Sequence, residues 1–586
     1  MSEISGKAWD IPLLKRILFY VKPYRTTFNL ATFLTIALAF LAPVRPWLIQ
    51  KTIDQQIMDF DLKGLQWMVL ILVGVLILET VLQFFQTYLA NWLGQTVIKD
   101  IRVKLYRHIV NFKLQYFDRT AIGTLVTRAV SDIETIAEVF SQGLLVIIGD
   151  LLKLIAIIAV MFYTDWRLSL ITLIPVPILI VATVVFKNVI KSAFQQVRTQ
   201  IARLNAFVQE HITGMKIIQV FNREDLEQAR FEKMNKLHRD AHIRTVWAYS
   251  IFFPVVEMLT AFSLALLVWW GTKGVMQGYT TLGNLVAFIL YIYMLYRPIR
   301  QLADKFNTLQ MGMVSSERVF KVLDTESSIE NSGTYKPESM KGRIEFKNVW
   351  FAYLDDDYVI KDVSLVVEPG QTVAFVGSTG SGKTTTINLL GRFYEISKGE
   401  ISIDGVPIRD YDKFYLRQKM AIVLQDVFLF SDTIHNNITL NNPDISREEV
   451  IAASKKVGAH HFISQLPGDY DYNVKERGGM LSVGQRQLIS FIRAYVHQPE
   501  ILILDEATSS IDTESEHLIQ RATDILTKGR TSIIIAHRLS TIQSADKIVV
   551  MKKGKIIEEG NHQELLQKNG HYRKLYELQF EKKESV

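Results

Sequence analysis

The stretch Gly377-Ser-Thr-Gly-Ser-Gly-Lys383-Thr384 fits the phosphate-binding loop pattern G-x-x-x-x-G-K-[ST]. An apolar, β-branched run, Thr372–Val376, precedes it, and residues 385–393 are typical of a helix. This is the strand, loop and helix context that the motif requires. The sequence therefore predicts that backbone N–H groups of the loop and of the helix start bind phosphate oxygens.

Two side chains of this loop are expected to act on a nucleotide directly. Lys383 supplies a point charge for the β and γ phosphates, and the Thr384 hydroxyl can ligate Mg²⁺. The predicted nucleotide-binding residues of the stretch are Gly377, Ser378, Thr379, Gly380, Ser381, Gly382, Lys383, Thr384 and Thr385.

The composition indicates a membrane protein. Hydrophobic residues make up 49% of the 586, the mean hydropathy is +0.15, and the apolar residues crowd into the first half. The net charge is +7, but the basic residues fall mainly at the ends of apolar runs, which favours cytoplasmic loops over a nucleic-acid partner. Cysteine is absent, which excludes disulfides and thiol catalysis. A cleaved signal peptide is not expected, since residues 1–23 contain no uninterrupted apolar core.

Six apolar stretches each approach the roughly 20 residues that a hydrocarbon core requires. They are residues 28–49, 65–89, 140–163, 168–186, 251–270 and 282–296. The third and fourth are expected to be joined by a tight turn at residues 164–167. Two long basic connections, residues 90–139 and 187–250, have helical periodicity, so they should extend roughly 30 Å into the cytoplasm. Both termini should lie on the same side.

Several ionisable residues fall within or beside these spans, where they should face a bundle interior or a cavity. Asp150 and Lys153 stand one helical turn apart and are expected to neutralise each other. Glu79 and Glu257 have no evident partner, and for both a cavity-lining role and an interhelical hydrogen bond remain open. The others are Arg45, Arg297 and Arg300.

The second half supplies partners for the phosphate loop. The apolar strand Ile501–Asp505 ends in Asp505 and Glu506, which could hold Mg²⁺ and polarise the attacking water. Gln425 follows an apolar run and could reach Mg²⁺ or the water, and His537 follows another and could contact the γ phosphate. Ser482, at the start of a helical run, predicts a second anion site. Tyr353 could be core or could stack on adenine.

With these motifs, the chain resembles the ATP-binding cassette exporter half-transporters over about residues 13–580. The resemblance implies an adenine-stacking Tyr353, a Walker A loop at 377–385, a Q-loop Gln425, and a signature of Ser482, Gly484 and Gln485. It further implies the Walker B acids Asp505 and Glu506, a D-loop at 509–512 and a switch histidine, His537. Glu476 resembles the acidic residue of the loop that exporters place against the membrane domain. Val483 departs from the glycine usual in the signature.

The fold class implied is an α-helical transmembrane domain of six spans, with long intracellular extensions, fused to an α/β P-loop nucleotide-binding domain. Residues 1–25 should form an amphipathic elbow, 26–322 the transmembrane domain, 323–342 a linker and 343–586 the cassette. Coupling helices are expected near 112–120 and 213–222. In this family each ATP is enclosed by two cassettes, so the resemblance implies a homodimer with two active sites.

The function expected is ATP-driven export of amphipathic or hydrophobic compounds across a bacterial cytoplasmic membrane, by alternating access, with ATP and Mg²⁺ as cofactors. Lipid or lipid-A-type flipping is the alternative. An ATP-gated channel or a membrane ATPase that moves nothing is a remoter one. Nucleic-acid processing by a related cassette ATPase would predict a soluble chain, which the six spans argue against.

Overall fold

The computed structural model describes residues 10–139, 143, 145–354, 356–505, 513–536 and 538–579; the side chains at 300, 302–304, 306–307, 513–514 and 578–579 lie outside that description. The described parts of Met1–Val110 and Ala121–Thr325 form one compact unit, here the helical unit. Those of Asn111–Thr120 and Glu326–Val586 form the other, here the sheet unit.

The helical unit begins with a short amphipathic helix and continues with long apolar helices. In chain order, the helices of the first 325 residues are α1 (Ile11–Phe19), α2 (Arg25–Leu41), α3 (Val44–Lys51), α4 (Leu62–Ile109), α5 (Leu114–Arg119), α6 (Ile122–Thr127), α7 (Ile133–Glu138), α8 (Leu145–Thr164), α9 (Trp166–Leu173), α10 (Val176–Thr213), α11 (Met215–Val220), α12 (Glu224–Met276) and α13 (Leu282–Leu323). Of these, α5 belongs to the sheet unit.

Six helical runs among the described residues are long and apolar enough to cross a membrane, which confirms the six predicted spans. The runs exceed the apolar stretches because α4, α10, α12 and α13 continue into polar sequence. The helix of 48 residues, α4, would be about 72 Å long at 1.5 Å per residue, more than twice a hydrocarbon core. Much of the third predicted span is α8; residues 140–142 and 144 lie outside the described part.

One expectation about this unit, the tight turn between the third and fourth spans, is confirmed, and another, the pairing of Asp150 with Lys153, is wrong in its partner. The turn between the third and fourth spans is a single residue, Asp165, because its carboxylate accepts hydrogen bonds from Arg167 N and Leu168 N and so caps α9 immediately. The charge of Asp150 acts on Lys153, but the two form no ion pair. The ion-pair partner of Asp150 is the ammonium group of Lys305, which approaches from another helix, α13.

Glu79 has a partner that the sequence does not reveal. Its carboxylate lies 3.7 Å from the Arg45 guanidinium, so this pair ties α4 to α3. Elsewhere the unit is held by apolar packing: Ile157, Leu267, Phe288 and Tyr291 are fully buried where α8, α12 and α13 meet.

The sheet unit holds two sheets. Its strands are β1 (Ile344–Ala352), β2 (Tyr358–Val367), β3 (Thr372–Val376), β4 (Lys398–Ile403), β5 (Val406–Pro407), β6 (Met420–Val423), β7 (Ile501–Asp505), β8 (Thr531–Ile535), β9 (Lys547–Lys552) and β10 (Lys555–Gly560). The order is β2-β1-β4-β5 in an antiparallel sheet and β10-β9-β3-β8-β7-β6 in the other. In the second sheet all neighbours pair in parallel except β10 with β9.

Helices also belong to the sheet unit, and several of them pack against the six-stranded sheet, whose parallel strands are buried. These helices are α14 (Lys383–Leu390), α15 (Lys413–Gln418), α16 (Ile434–Thr439), α17 (Arg447–Val457), α18 (His460–Ser464), α19 (Val483–Val496), α20 (Thr513–Thr527), α21 (Leu539–Ser544), α22 (His562–Gln567) and α23 (His571–Gln579). The strands read as continuous apolar runs: β8 is buried at every position. The predicted fold class, a six-span helical domain fused to an α/β P-loop domain, is confirmed.

Candidate functional site

The predicted phosphate-contacting residues follow the carboxyl ends of neighbouring parallel strands. The phosphate loop follows β3, Asp505 ends β7, and Gln425 stands two residues after β6. In a parallel sheet these ends share one edge, which is where ligands of open α/β folds bind. His537 would follow β8, but it lies outside the described residues, as do Glu506 and residues 509–512.

The glycines give the loop a shape that other residues would not allow. A Cβ on Gly377 would lie 2.3 Å from the carbonyl oxygen of Met551, so the backbone passes too close to β9 for any side chain. Gly382 has a φ of +107° and stands at the N-cap of α14 without a capping side chain. The first N–H groups of that helix are therefore left for an external acceptor, which a phosphate supplies.

Two polar groups in the loop lack the partner that a phosphate would provide. Lys383 is largely buried, and its Nζ donates to the loop carbonyls of Gly377 (2.7 Å) and Ser378 (3.2 Å). The Ser381 hydroxyl is buried, and among the described residues its Oγ has no hydrogen-bond partner. A buried hydroxyl without a partner costs free energy, so this geometry fits an anion that would satisfy it.

Burial disfavours the charged forms of Lys383 and Asp505, so it shifts their pKa values in opposite directions. The pKa of Lys383 is lowered by burial, an effect that the nearby Asp505 charge opposes. The pKa of Asp505 is raised by burial, which Lys383 opposes and the neighbouring Asp426 reinforces. Each charge is thus only partly compensated by the other. Phosphate at Lys383 and a divalent cation at Asp505 would complete the compensation.

Tyr353 is held at both ends of its side chain. Its hydroxyl donates to Thr385 Oγ1 at 3.1 Å, directly after the phosphate loop. Its ring meets those of Phe351 and Tyr394 edge-on, with centroids 4.8 and 5.2 Å away. The ring is half-buried, so the sequence's two readings of Tyr353 are compatible: one part of it packs on core and another remains open to a ligand.

The short helix α5 lies between α4 and α6 in the chain but belongs to the sheet unit, and it contacts the backbone of Tyr353. Arg119 Nη2 and Gln115 Nε2, both on α5, donate to the Tyr353 carbonyl oxygen at 2.6 and 3.2 Å. Asp118 accepts a hydrogen bond of 2.6 Å from the buried Tyr394 hydroxyl. The resemblance implied a coupling helix near residues 112–120, but the sequence offered no signal for the contacts of Gln115 or Tyr394.

The predicted signature residues stand at the start of α19 and face outward. Ser482 caps this helix: its Oγ accepts from Gln485 N at 3.2 Å, while Gln485 Oε1 accepts from Ser482 N at 3.0 Å. Gly484 is buried, whereas Ser482 and Val483 are exposed. The helix start thus offers an open surface, and Val483 places a β-branched side chain on it. Of the remaining predicted ligands, Ser378, Thr379, Gly380, Thr384 and Gln425 are exposed.

The chain matches two family models. Residues 28–299 match the one described as ABC transporter transmembrane region, and residues 360–509 match the one described as ABC transporter. The first covers most of the helical unit, and the second covers the phosphate loop, Gln425, the signature residues and Asp505.

Similarity to individual proteins extends over almost the whole chain. A Bacillus subtilis protein named uncharacterized ABC transporter ATP-binding protein YknV is 39% identical over 581 residues, covering 99% of this chain and 96% of the relative. A protein of Syntrophus aciditrophicus named ATP-dependent lipid A-core flippase is 36% identical over 569 residues, covering 97% and 94%. A second Bacillus subtilis protein, YgaD, whose name assigns it provisionally to multidrug export, is 36% identical over 575 residues, covering 97% and 99%.

Proposed function

Since the chain belongs to the ATP-binding cassette transporters and is an ATPase coupled to transport, we propose that it exports amphipathic or hydrophobic compounds as a homodimer. The membrane is a bacterial cytoplasmic membrane, with both termini and the sheet unit on the cytoplasmic side. The basic residues of the two long helical connections support this orientation.

The observation that carries the proposal is the set of hydrogen bonds that links α5 to the residues predicted to bind the nucleotide. Arg119 and Gln115 donate to the carbonyl of Tyr353, whose hydroxyl in turn donates to Thr385 beside the phosphate loop. Since α5 joins α4 to α6 in the chain, a displacement of Tyr353 by bound adenine would act on the ends of two membrane-unit helices.

The hydrolytic roles follow from the chemistry of the residues. Lys383, the loop N–H groups and Ser381 would bind the phosphates, and Glu506 would orient the attacking water, with His537 at the γ phosphate. Mg²⁺, when bound, neutralises phosphate charge, and Thr384, Asp505 and Gln425 would hold it. Burial of Asp505 suits this role, because a carboxylate only partly compensated within the protein gains most from a cation.

The second chain would supply the signature to each site. Ser482 and Val483 are exposed at the start of α19, and on α11 the side chains of Ile217 and Val220 are 62% and 64% exposed. Apolar side chains at the tip of a long polar hairpin call for a covering surface, which a second copy provides. ATP would then bind best to the closed dimer, and this difference in affinity drives the change between inward-facing and outward-facing states.

Vesicle transport tests the proposal. Purified protein in proteoliposomes should accumulate a fluorescent amphiphile against its gradient when ATP is added outside, and Glu506→Gln should abolish accumulation while retaining ATP binding. ATP-dependent ion current without hydrolysis would instead support a channel. Hydrolysis without movement of any amphiphile or lipid would support a non-transporting ATPase.

Lipid flipping is the second candidate, and the polar lining of a cavity in the helical unit favours it. The names of several relatives give lipid A-core flipping as their activity. The same vesicles, loaded with a short-chain fluorescent phospholipid, separate the candidates. ATP-dependent movement of the lipid between leaflets supports flipping, and movement of soluble amphiphiles alone supports export.

A further inference from the structure

A polar cavity of about 290 Å³ lies among α2, α4 and α8 in the helical unit. Its lining includes Glu79, Gln83, Gln86, Thr87, Asp150 and Lys153. These are costly groups to place in membrane-spanning helices, so their convergence on one cavity points to a function rather than to packing.

The charges around this cavity do not cancel. Glu79 pairs with Arg45 at 3.7 Å, and Asp150 pairs with the Lys305 ammonium group. Both carboxylates are therefore matched by cations outside the cavity lining. Lys153 remains: the charges of Glu79 and Asp150 act on it, but among the described residues neither carboxylate forms an ion pair with it. Lys153 is thus a positive charge in excess of the two carboxylates and the cations paired with them.

The position of Lys153 makes this charge expensive. It lies near the middle of α8, whose 20 residues span about 30 Å, so each end of the helix is roughly 12 Å or more away. A lysine this deep cannot easily bring its ammonium group to the membrane surface. An unpaired cation in such a place is stabilised when an anion enters beside it.

A second groove adjoins the cavity and differs from it in chemistry. It shares Gln83 and Thr87 with the cavity and continues along α4 past Phe84 and Tyr88. These two rings are stacked 6.2 Å apart and are 64% and 56% exposed. A polar cavity too small for a whole lipid thus opens beside an exposed aromatic surface, which is the pattern that an amphiphile with a compact head group would fit.

We propose that Lys153 binds the oxyanion head group, phosphate or carboxylate, of an amphiphilic cargo whose apolar body lies along Phe84 and Tyr88. The proposal deepens the proposed export function and rests on it. Gln83 Nε2 and the second N–H of Gln86, whose first donates to Thr35 Oγ1 at 3.3 Å, supply further hydrogen bonds that a phosphate accepts, whereas Thr87 Oγ1 already donates to Gln86 Oε1.

Equilibrium binding in phospholipid-free, non-ionic detergent micelles tests this site separately from transport. The probes are a short-chain fluorescent phosphatidylglycerol and the matching fluorescent diacylglycerol, which lacks the phosphate, with fluorescence anisotropy as the readout. We expect the phosphate-bearing probe to bind roughly ten- to a hundredfold more tightly, the range for a hydrogen bond to a charged group. Lys153→Gln should remove the preference, Lys153→Arg should keep it, and the control Lys191→Gln, outside the cavity, should leave it intact.

Several results would overturn the proposal: equal affinity for the two probes, or a preference that survives Lys153→Gln. Displacement of the probe by glycerol phosphate at the same concentrations as by the lipid would also overturn it, because the apolar body would then contribute nothing. Retained ATP binding by Lys153→Gln shows that the variant is folded. If vesicles accumulate a cationic dye but no preference for phosphate exists, the site assignment fails while export stands. If neither dye nor lipid moves, the export function itself fails.

Discussion

Arg119 places its Nη2 atom 2.6 Å from the backbone carbonyl oxygen of Tyr353, so a residue of the connection between α4 and α6 holds the predicted adenine-stacking position. The bond is charge-assisted, and its acceptor belongs to the main chain. It therefore holds the backbone at the end of β1 in place, and not only one side chain. Nucleotide affinity should therefore depend on a residue that touches no nucleotide.

Removing this contact gives the first prediction. Arg119→Ala should raise the KM for ATP about three- to tenfold, since a charge-assisted bond at an exposed position contributes roughly 1 kcal/mol. Arg119→Lys, which keeps one donor, should lie between Ala and the natural residue. Steady-state ATPase assays over a range of ATP concentrations measure the change. A KM equal to that of the unchanged protein would show that the carbonyl contact plays no part in nucleotide binding.

Tyr394 gives a prediction about stability and its pH dependence. Burial, followed by the hydrogen bond to Asp118, raises the pKa of the Tyr394 hydroxyl, so it remains a donor. A group whose pKa is higher in the folded state stabilises the fold fully below its unfolded pKa of about 10, and this stabilisation is lost as the pH rises through the folded value. Tyr394→Phe should cost about 1 kcal/mol in the free energy of unfolding, uniformly between pH 6 and 9.

Thermal unfolding across this pH range measures that difference. Tyr335, which is 44% exposed, provides the matched control, and Tyr335→Phe should have little effect. A cost that grew toward pH 6 would contradict the assignment of Tyr394 as a neutral donor.

A substitution at Ser381 should affect the stability of the apo protein and the affinity for ATP differently. Its buried hydroxyl has no partner among the described residues, so Ser381→Ala should leave the apo protein equally or slightly more stable. The same variant should bind ATP roughly five- to tenfold more weakly, because the phosphate loses that donor. Calorimetric unfolding and ATP titration give the two readouts. The control is Ser397→Ala, at an exposed position outside the phosphate loop; an equal loss of affinity in both variants would be evidence against a special role for Ser381.

Asp505 should destabilise the apo protein at neutral pH, because burial raises its pKa above the unfolded value. Above the folded pKa the charged form bears the whole penalty, and below about pH 4 the carboxyl is protonated in both states and the penalty vanishes. Asp505→Asn should therefore raise the Tm of the apo protein on the order of 2 °C at pH 7, with no gain near pH 4. Lost electrostatic support for Lys383 offsets part of this gain.

Added Mg²⁺ and nucleotide should reverse the order, stabilising the natural protein more than Asp505→Asn. Asp426→Asn, which removes the like charge that reinforces the raised pKa, is the control and should give a smaller gain. A natural protein more stable than Asp505→Asn without ligand would mean that Asp505 is satisfied inside the protein.

Motifs that determine backbone shape could be predicted from sequence, whereas pairings between distant side chains could not. The loop from Gly377 to Thr384 requires glycine for local reasons, so its strand, loop and helix are present as expected. The six spans follow from length and hydropathy in the same way. Asp150 shows where this reasoning stops: its neighbour Lys153 lies one turn away, but Lys305, over 150 positions later, is its partner.

The contacts of α5 show the same limit at the site. The resemblance implies a coupling helix near residues 112–120, but nothing in the sequence relates Asp118 to Tyr394 or Arg119 to the carbonyl of Tyr353. A main-chain acceptor leaves no mark in the sequence, and Tyr394, between Phe393 and Glu395, carries no signal of its partner. The signature departure at Val483 could be seen, but only the structure places that side chain on an exposed surface.

Hydrolysis by mixed dimers, purified through two different affinity tags, tests most directly whether each ATP site is shared between two chains. One preparation combines a Lys383→Ala chain with a Ser482→Arg chain; the other combines a Lys383→Ala, Ser482→Arg double variant with an unchanged chain. Shared sites leave one intact site in the first dimer and none in the second, so the first should hydrolyse ATP and the second should not. An inactive first dimer beside a second that hydrolyses at half the natural rate would contradict the account.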